Sequence, residues 1–408
     1  MTTVGERSLW RNRDFLLLWS GQAVSSLGDQ VSGLALPLLV LALTGSSAQA
    51  GLVLAASLLP YLALSLPAGV LVDRWDRKRV MIRCDVARVV ALGSVPLAYH
   101  IGRLTTAQLY AVALVEGAAA VFFSLAETAA LPRVVSRARL TEAAALNATA
   151  DGAATVVGPG LAGLIIGLAR GTVAGAALAY LVDSLSFLVS AVSLGAIRVP
   201  FQKERASWTG RSLRAELAEG LRYLWEQPRL RTVALLTLAV NLLYGPVPLA
   251  AIVLARQALR LDARAIGLIF SIGGVGALVG SLLTPRLKRW VGFGPLLTGV
   301  VALWALATLL LAVAVSPLIL IAGWTLMDLV TPAYNVTQLS YRLTLIPDAL
   351  QGRVNSAFRL LAFCGIPLGR AVGGLLLGPI GPRGELIALA LGISLCAVAA
   401  GMMGLRRA

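Results

Sequence analysis

The chain has 408 residues, of which 58% are hydrophobic and only 13% are charged. Ordinary soluble domains carry about 25% charged residues, so this composition excludes a soluble protein. The net charge is +16, but the Lys and Arg side chains fall in alternate loops, which argues against a nucleic-acid-binding face. Sparse charge between apolar runs of roughly twenty residues indicates a polytopic α-helical membrane protein.

Apolar runs follow one another along the whole sequence and are joined mostly by short loops. Twelve are counted, at about 14–43, 48–72, 80–100, 106–131, 141–168, 172–197, 230–254, 265–285, 293–314, 316–340, 353–380 and 383–404. A long charged stretch separates the sixth run from the seventh. The sequence therefore predicts an N-terminal half at 1–200, a linker at 201–229 and a C-terminal half at 230–408.

The linker contains a helical pattern. Leu217, Leu221, Leu224 and Trp225 recur on one helical face, with charged residues on the other. This spacing predicts an amphipathic helix that lies along the membrane surface.

The distribution of basic residues predicts the orientation in the membrane. If both termini are cytoplasmic, 26 of the 35 Lys and Arg residues fall in cytoplasmic segments and 6 in outside loops. Positive charge concentrates on the cytoplasmic side of membrane proteins. We therefore expect a multi-pass protein of the cytoplasmic membrane with both termini inside the cell.

The loop between the second and third runs reads G-V-L-V-D-R-W-D-R-K-R, from Gly69 to Arg79. It resembles the signature loop of the major facilitator superfamily, G-x-x-x-D-R-x-G-R-[RK]. The matching positions are Gly69, Asp73, Arg74, Arg77 and Lys78. Asp76 replaces the second glycine, a variant similar to that of macrolide and siderophore exporters. We expect Asp73 to accept hydrogen bonds from a helix N-terminus.

This resemblance implies an all-α membrane fold with twelve helices in two pseudo-symmetric six-helix halves. It also implies a central cavity lined by helices one, four, seven and ten. Glu127, at the end of helix four, is expected to join Asp73 and Arg77 in a charge network that controls gating. Gly69 is expected to allow a close approach between helices two and eleven.

Three carboxylates lie at membrane depth, namely Asp29, Glu116 and Asp328. An ionised side chain at the centre of a membrane helix costs about 2.5–3.5 kcal/mol, so such acids usually face a cavity or a partner. The family arrangement implies that these acids line the cavity with Asn241 and Tyr244, where they would exchange protons. The alternative is a structural acid, paired with Arg or hydrogen-bonded by Gln, Ser or backbone groups.

The fifth run reads D-G-A-A-T-V-V-G-P-G-L-A-G, from Asp151 to Gly163. Gly158, Pro159 and Gly163 match the antiporter-associated signature of the family, which favours export. A ridge of glycines spaced by four begins at Gly365 in the eleventh run and indicates close helix packing.

Further embedded charges lie on several runs. Asp151 and Arg359 lie on helices that the resemblance makes gate-forming, where a pair between them is one possibility. Arg370 is suited either to an anionic substrate or to backbone carbonyls, and the sequence does not choose. Asp85 and Arg88 are spaced for an i,i+3 ion pair. Asp183 is expected to belong to the outer scaffold.

No enzyme template fits this sequence. The single histidine, His100, rules out a His-based triad, and no G-x-x-x-x-G-K-[ST] loop for ATP occurs. The three cysteines lack metal-ligand spacing, so neither metal nor cofactor is expected.

The expected function is efflux of small amphiphilic molecules such as drugs, macrolides or siderophores. The mechanism would be alternating access by a monomer in the bilayer, coupled to protons, with sodium left open. Import or facilitated diffusion is the alternative, and a receptor that does not transport is a further one.

Overall fold

The computed structural model describes residues 8–202 and 213–402, so part of the predicted linker lies outside the described residues. Within these ranges every regular element is helical. The described residues divide into two compact units, one with 8–43 and 56–202 and the other with 44–55 and 213–402. The division predicted from the sequence, at the linker, stays a prediction.

Three short 3-10 turns, at Leu9–Arg11, Arg137–Arg139 and Asp348–Leu350, supplement the α-helices. In chain order the α-helices are α1 (Arg13–Thr44), α2 (Ser47–Ala56), α3 (Leu59–Arg74), α4 (Arg77–His100), α5 (Thr106–Val134), α6 (Leu140–Leu168), α7 (Thr172–Ala196), α8 (Leu213–Glu226), α9 (Pro228–Tyr244), α10 (Val247–Gln257), α11 (Ala263–Val291), α12 (Phe293–Ala312), α13 (Pro317–Leu345), α14 (Gln351–Phe363) and α15 (Gly365–Met402).

Ten segments of the described residues are long and apolar enough to cross a membrane. The charged helix α4 is not among them. The last of the ten, Gln351–Met402, has 52 residues and contains a sharp break at Gly381, whose φ is +69°. These findings support a multi-pass helical membrane protein.

Two apolar runs that look continuous in the sequence are interrupted in the structure. The run at 48–72 is split into α2 and α3, and Pro60 is the second residue of α3. The run at 230–254 is split into α9 and α10, with Gly245 and Pro246 between them. Proline lacks a backbone N–H and its ring clashes with the preceding turn, so it ends or breaks the helix at these points.

A hydrophobic cluster at one end of the first unit supports the charged loop Gly69–Arg79. Phe15 of α1, Met81 of α4 and Leu194 of α7 are each at most 1% exposed and belong to this cluster, together with Val72 of α3. Burying each such side chain contributes about 1.5–3 kcal/mol relative to its exposed state in water. The loop is therefore anchored by apolar packing on both of its flanking helices.

In the second unit, the glycine ridge of α15 packs against α9 and the break that follows it. A methyl group added at Gly369 would collide with the backbone carbonyl of Leu242, and one added at Gly373 would collide with Pro246. The absent side chains let the two helix backbones approach closely within this unit. Packing of the ridge across the interface between the halves stays a prediction.

Helix α8 packs on α14 within the same unit. Nη1 of Arg353 on α14 forms an ion pair with Oε2 of Glu219 on α8 at 2.8 Å. Leu224 of α8 is fully buried. Gly220 lies against the backbone of Arg353, where a side chain would collide with the Arg353 carbonyl. Contact of α8 with the membrane surface stays a prediction.

Candidate functional site

The charged loop contains an ion pair between two residues of the motif. Nη2 of Arg77 lies 3.1 Å from Oδ1 of Asp73, and Nη1 of Arg77 donates to the carbonyl of Ala129 at 3.4 Å. Arg77 thus joins the end of α3 to α5. The exposed side chain of Arg74 lies in the last turn of α3.

The N-terminus of α4 is capped by Asp76. Its Oδ1 accepts a 3.0 Å hydrogen bond from the backbone N–H of Arg79, the arrangement of an N-cap residue. The expectation that Asp73 accepts hydrogen bonds from a helix N-terminus stays a prediction. Asp73 ends α3 one turn earlier, and its carboxylate is turned to Arg77 instead. The aspartate that departs from the family pattern thus has a local structural role.

The loop is also tied to the end of α7. Nζ of Lys78 donates to the carbonyls of Gly195 at 3.2 Å and Ile197 at 2.6 Å. Beyond α7, Nε2 of Gln202 donates to the backbone carbonyl of Asp73 at 2.8 Å. Three of the motif's polar positions therefore hold the same end of one unit together.

Glu127 is placed differently from the expectation, and Gly69 has no close neighbour within the first unit. Glu127 lies half-buried on α5 and forms no ion pair within 4 Å among the described residues, so in this structure it does not join Asp73 and Arg77. A Cβ built at Gly69 would meet no atom of the first unit within 4 Å. Packing within that unit therefore does not require a glycine at this position.

Helices α1 and α6 are joined by polar side chains. Oγ of Ser26 donates to Oδ1 of Asp151 at 2.9 Å, and Nε2 of Gln30 donates to Oγ1 of Thr155 at 3.0 Å. One turn further, Gly158 packs so closely that a methyl group there would collide with Cβ of Gln30.

The remaining positions of the antiporter-like motif are buried. Pro159 and Gly163 are both inside α6. The small residues allow α1 and α6 to approach within hydrogen-bonding distance of their polar side chains.

The acids of the first and fourth predicted spans, which the structure places on α1 and α5, lie near one another in the first unit. Asp29 of α1 and Glu116 of α5 are partly buried, and each interacts electrostatically with Arg88 of α4; Glu116 also interacts with Asp29. Two carboxylates and one guanidinium therefore share a largely apolar part of the membrane. Such a group is able to hold or release a proton as its access to water changes.

Asp85 and Arg88 do not form the ion pair that their spacing predicts. Both oxygens of Asp85 lack a hydrogen-bond partner among the described residues. The guanidinium of Arg88 faces aromatic rings, with its carbon 4.5 Å from the ring centroid of Phe187 and 5.8 Å from that of Phe123. Arg88 is therefore held by cation–π contacts.

Asp183 is fully buried beside these acids, whereas the sequence analysis expects it in the outer scaffold. It is 0% exposed on α7, and Oγ of Ser186 donates to its Oδ1 at 3.1 Å. A methyl group at Gly28 of α1 would collide with the same carboxylate oxygen. Asp183 interacts electrostatically with Asp29 and Glu116, so it belongs to the same polar group as these acids. The glycine directly before Asp29 is the sequence signal for this contact.

In the second unit, Asp328 is held by an aromatic neighbour. Trp324, one turn earlier on α13, lies beside Asp328, and the Trp324 ring lies 4.3 Å from that of Phe270. A methyl group at Gly273 of α11 would approach Oδ2 of Asp328 to 2.7 Å. A glycine on the facing helix therefore makes room for Trp324 and for this acid.

Asn241 and Tyr244 lie near the end of α9. Nδ2 of Asn241 donates to the carbonyl of Ala362 on α14 at 2.8 Å, which ties two helices together. The ring of Tyr244 lies 5.7 Å from that of Trp304, and Tyr244 interacts electrostatically with Asp328. Asn241 thus makes a helix-to-helix bond, whereas Tyr244 shares its surroundings with an acid.

Arg370 donates a hydrogen bond to a backbone carbonyl within the second unit. Its Nη1 donates to the backbone carbonyl of Leu54 at 3.1 Å, one of the two roles left open by the sequence. Close packing accompanies this bond, since a methyl group at Gly374 would lie 2.7 Å from Cα of Gly51. Arg359 is exposed on α14.

Glu385 of α15 is a buried acid that the sequence interpretation did not single out. It is 2% exposed, neither carboxylate oxygen has a hydrogen-bond partner among the described residues, and Gly373 lies beside it. A single acid within an apolar run was the available signal. Among the described residues, no group of three His, Cys, Asp or Glu side chains is arranged to hold a metal ion.

Comparison with known proteins gives consistent matches. The family model described as "Transmembrane secretion effector" matches residues 7–408. The multidrug efflux pump Tap of Mycolicibacterium fortuitum is 28% identical, over 94% of each chain. Macrolide efflux protein A of Streptococcus pyogenes is 26% identical over 57% of this chain and 56% of its own.

A crystal structure of a bacterial homologue of the iron transporter ferroportin superposes with a TM-score of 0.74. It covers 97% of this chain and 100% of its own, at 20% identity, and so supports the fold alone. The apolar helices, the charged loop and the membrane-embedded acids define a multi-pass membrane protein of the transporter class. The chain belongs to the transmembrane secretion effector family of the major facilitator superfamily.

Proposed function

We propose that this protein exports amphiphilic drug-like molecules, macrolides among them, from the cell. Its relatives include a multidrug efflux pump and a macrolide efflux protein, and the first matches nearly the whole chain. The apolar helices with few hydrogen-bonding side chains suit bulky apolar or cationic solutes better than sugars. The substrate would leave without chemical change.

The proposed mechanism is alternating access by a monomer with twelve spans in two six-helix halves and both termini in the cytoplasm. Repeated halves that move relative to one another are the general design of such transporters. The Asp73–Arg77 pair is proposed to form and break as the protein changes state, since an ion pair with one half-exposed partner is weak enough to be reversible.

Proton antiport is the proposed source of energy. The observation that carries this proposal is the group of acids shared by α1, α5 and α7, in which Asp29 interacts with Asp183 and Glu116. Asp29, together with Glu116 or Asp328, would take protons from outside and release them inside. Movement of one net charge across 100 mV supplies about 2.3 kcal/mol, enough for a roughly fifty-fold concentration gradient.

The direction of flux tests the proposal. In inverted membrane vesicles, an acid interior should drive uptake of a radiolabelled macrolide, and collapse of the gradient with a protonophore should release it. Vesicles of the opposite orientation should not accumulate the drug. Uptake only into right-side-out vesicles would instead identify an importer, and binding without flux would identify a receptor. Uptake that follows an imposed sodium gradient, with no pH gradient, would replace protons by sodium.

A further inference from the structure

A groove of about 630 Å³ runs along the outer surface of α4 and α5 in the first unit. Among the residues that line it are Arg83, Val86, Val90, Ser94, Gln108 and Val115. Residues 83, 86, 90 and 94 follow the spacing of one face of α4. The groove therefore lies between the exposed faces of two neighbouring helices, of which α4 is the third of the twelve proposed spans.

The wall of the groove is apolar and open to the surroundings. Val86, Val90 and Val115 are 48%, 66% and 40% exposed. Ala87 and Ala91 also line the groove, and their small side chains fill little of it. Within a bilayer, this surface faces hydrocarbon, and its volume falls within the range of about 300–1,000 Å³ that holds molecules of drug size.

The length of the groove matches one leaflet of a bilayer. Arg83 and Ser94 are eleven residues apart on α4, which is roughly 16 Å at about 1.5 Å per residue. Half of a hydrocarbon core about 30 Å thick is about 15 Å. An extended acyl chain of one leaflet therefore spans the groove from end to end.

The two ends of the groove differ in charge. At the far end, Nε2 of Gln108 donates to the carbonyl and Oγ of Ser94, at 3.0 and 2.9 Å, so this amide is already satisfied. At the near end, Arg83 is exposed, and so is Arg79 one turn earlier. Neither guanidinium has a hydrogen bond or ion pair with another described residue, and both can extend toward the membrane surface.

We propose that this groove is a binding site for an anionic phospholipid. One acyl chain lies along the valines of α4 and α5, and the phosphate of the headgroup is bound by Arg83 and Arg79. A guanidinium presents paired donors that match phosphate oxygens, and basic pockets between membrane helices bind anionic headgroups. A free phosphate would leave the apolar groove unused, so the lipid accounts for both parts of the site.

Native mass spectrometry of the full-length protein in detergent tests this site. The protein is titrated with equal amounts of phosphatidylglycerol and phosphatidylcholine that carry the same acyl chains. We expect the first retained bound molecule to be phosphatidylglycerol, with at least a fivefold preference. Arg83→Gln should reduce this preference about fivefold, the effect of about 1 kcal/mol for one basic residue at a membrane surface.

Two pairs of variants separate the parts of the proposal. Arg133→Gln removes another exposed arginine outside the groove and should leave the preference unchanged. Val90→Trp obstructs the groove and should lower retention of phosphatidylglycerol, whereas Leu97→Trp, on the same helix face beyond the groove and 63% exposed, should not. Equal retention of both lipids by the native protein, or equal effects within either pair, would overturn the proposal.

Discussion

The guanidinium of Arg88 lies over the ring of Phe187, with 4.5 Å between its carbon and the ring centroid. Arg88 is only 6% exposed and forms no ion pair with Asp85, three residues earlier on the same helix. The charge on α4 is therefore stabilised by a ring from α7 and by the acids that surround it. This contact helps to hold α4, α7 and the acid group in one arrangement.

A double-mutant cycle measures this contact. We expect Arg88→Gln and Phe187→Leu to be coupled by about 0.5–2 kcal/mol in the free energy of unfolding, the range for a cation–π pair from exposed to desolvated sites. Denaturant unfolding in mixed micelles provides the measurement. A cycle of Phe187→Leu with Arg83→Gln, an exposed arginine on the same helix, should show no coupling. Equal coupling in the two cycles would contradict the assignment.

The cap on α4 gives a second prediction. Asp76→Ala should lower the free energy of unfolding by about 0.5–2 kcal/mol, because the N–H of Arg79 loses its acceptor. Asp76→Gly, which restores the family pattern, should lower the free energy of unfolding by only a few tenths of a kcal/mol. Asp76→Asn should leave it nearly unchanged. If alanine and asparagine proved equally stable at this position, Asp76 would not act as the cap.

Close packing of α15 gives a third prediction. Gly369→Ala should destabilise the protein by about 1–3 kcal/mol, since the added methyl group would force the Leu242 backbone away. Gly378, on the same helix, has no atom within 4 Å of a built Cβ, so Gly378→Ala should be neutral or stabilising. Thermal unfolding of the two variants in one detergent compares them directly. Similar melting temperatures would contradict the packing described for Gly369.

The sequence predicts the helical membrane fold from local information, and the resemblance implies the Asp73–Arg77 contact. Apolar runs identify membrane segments, and a spacing of four residues brings Asp73 and Arg77 within reach of each other. The same reasoning is wrong for Asp85 and Arg88. Spacing shows which side chains can meet, but Phe187, which arrives from a distant part of the chain, determines where Arg88 turns.

The burial of Asp183 and Glu385 could not be predicted for a related reason. Gly28 of α1 makes room for Asp183 of the distant α7, whereas Gly373 lies beside Glu385 because α15 breaks at Gly381 between them. The N-cap of α4 could not be assigned from the sequence, since Asp73 and Asp76 both precede α4 and only the point at which α3 ends decides between them.

The central claim, that Asp29 carries protons during drug export, is tested most directly by the pH gradient of inverted vesicles. A fluorescent probe reports a preset acid-inside gradient while a macrolide shown to be taken up by these vesicles is added. We predict faster collapse with the native protein and with Asp348→Asn, a control outside the apolar spans, but no drug-dependent collapse with Asp29→Asn. Equal collapse with Asp29→Asn would remove Asp29 from the proton path, and drug uptake by the native protein without any collapse would contradict proton antiport itself.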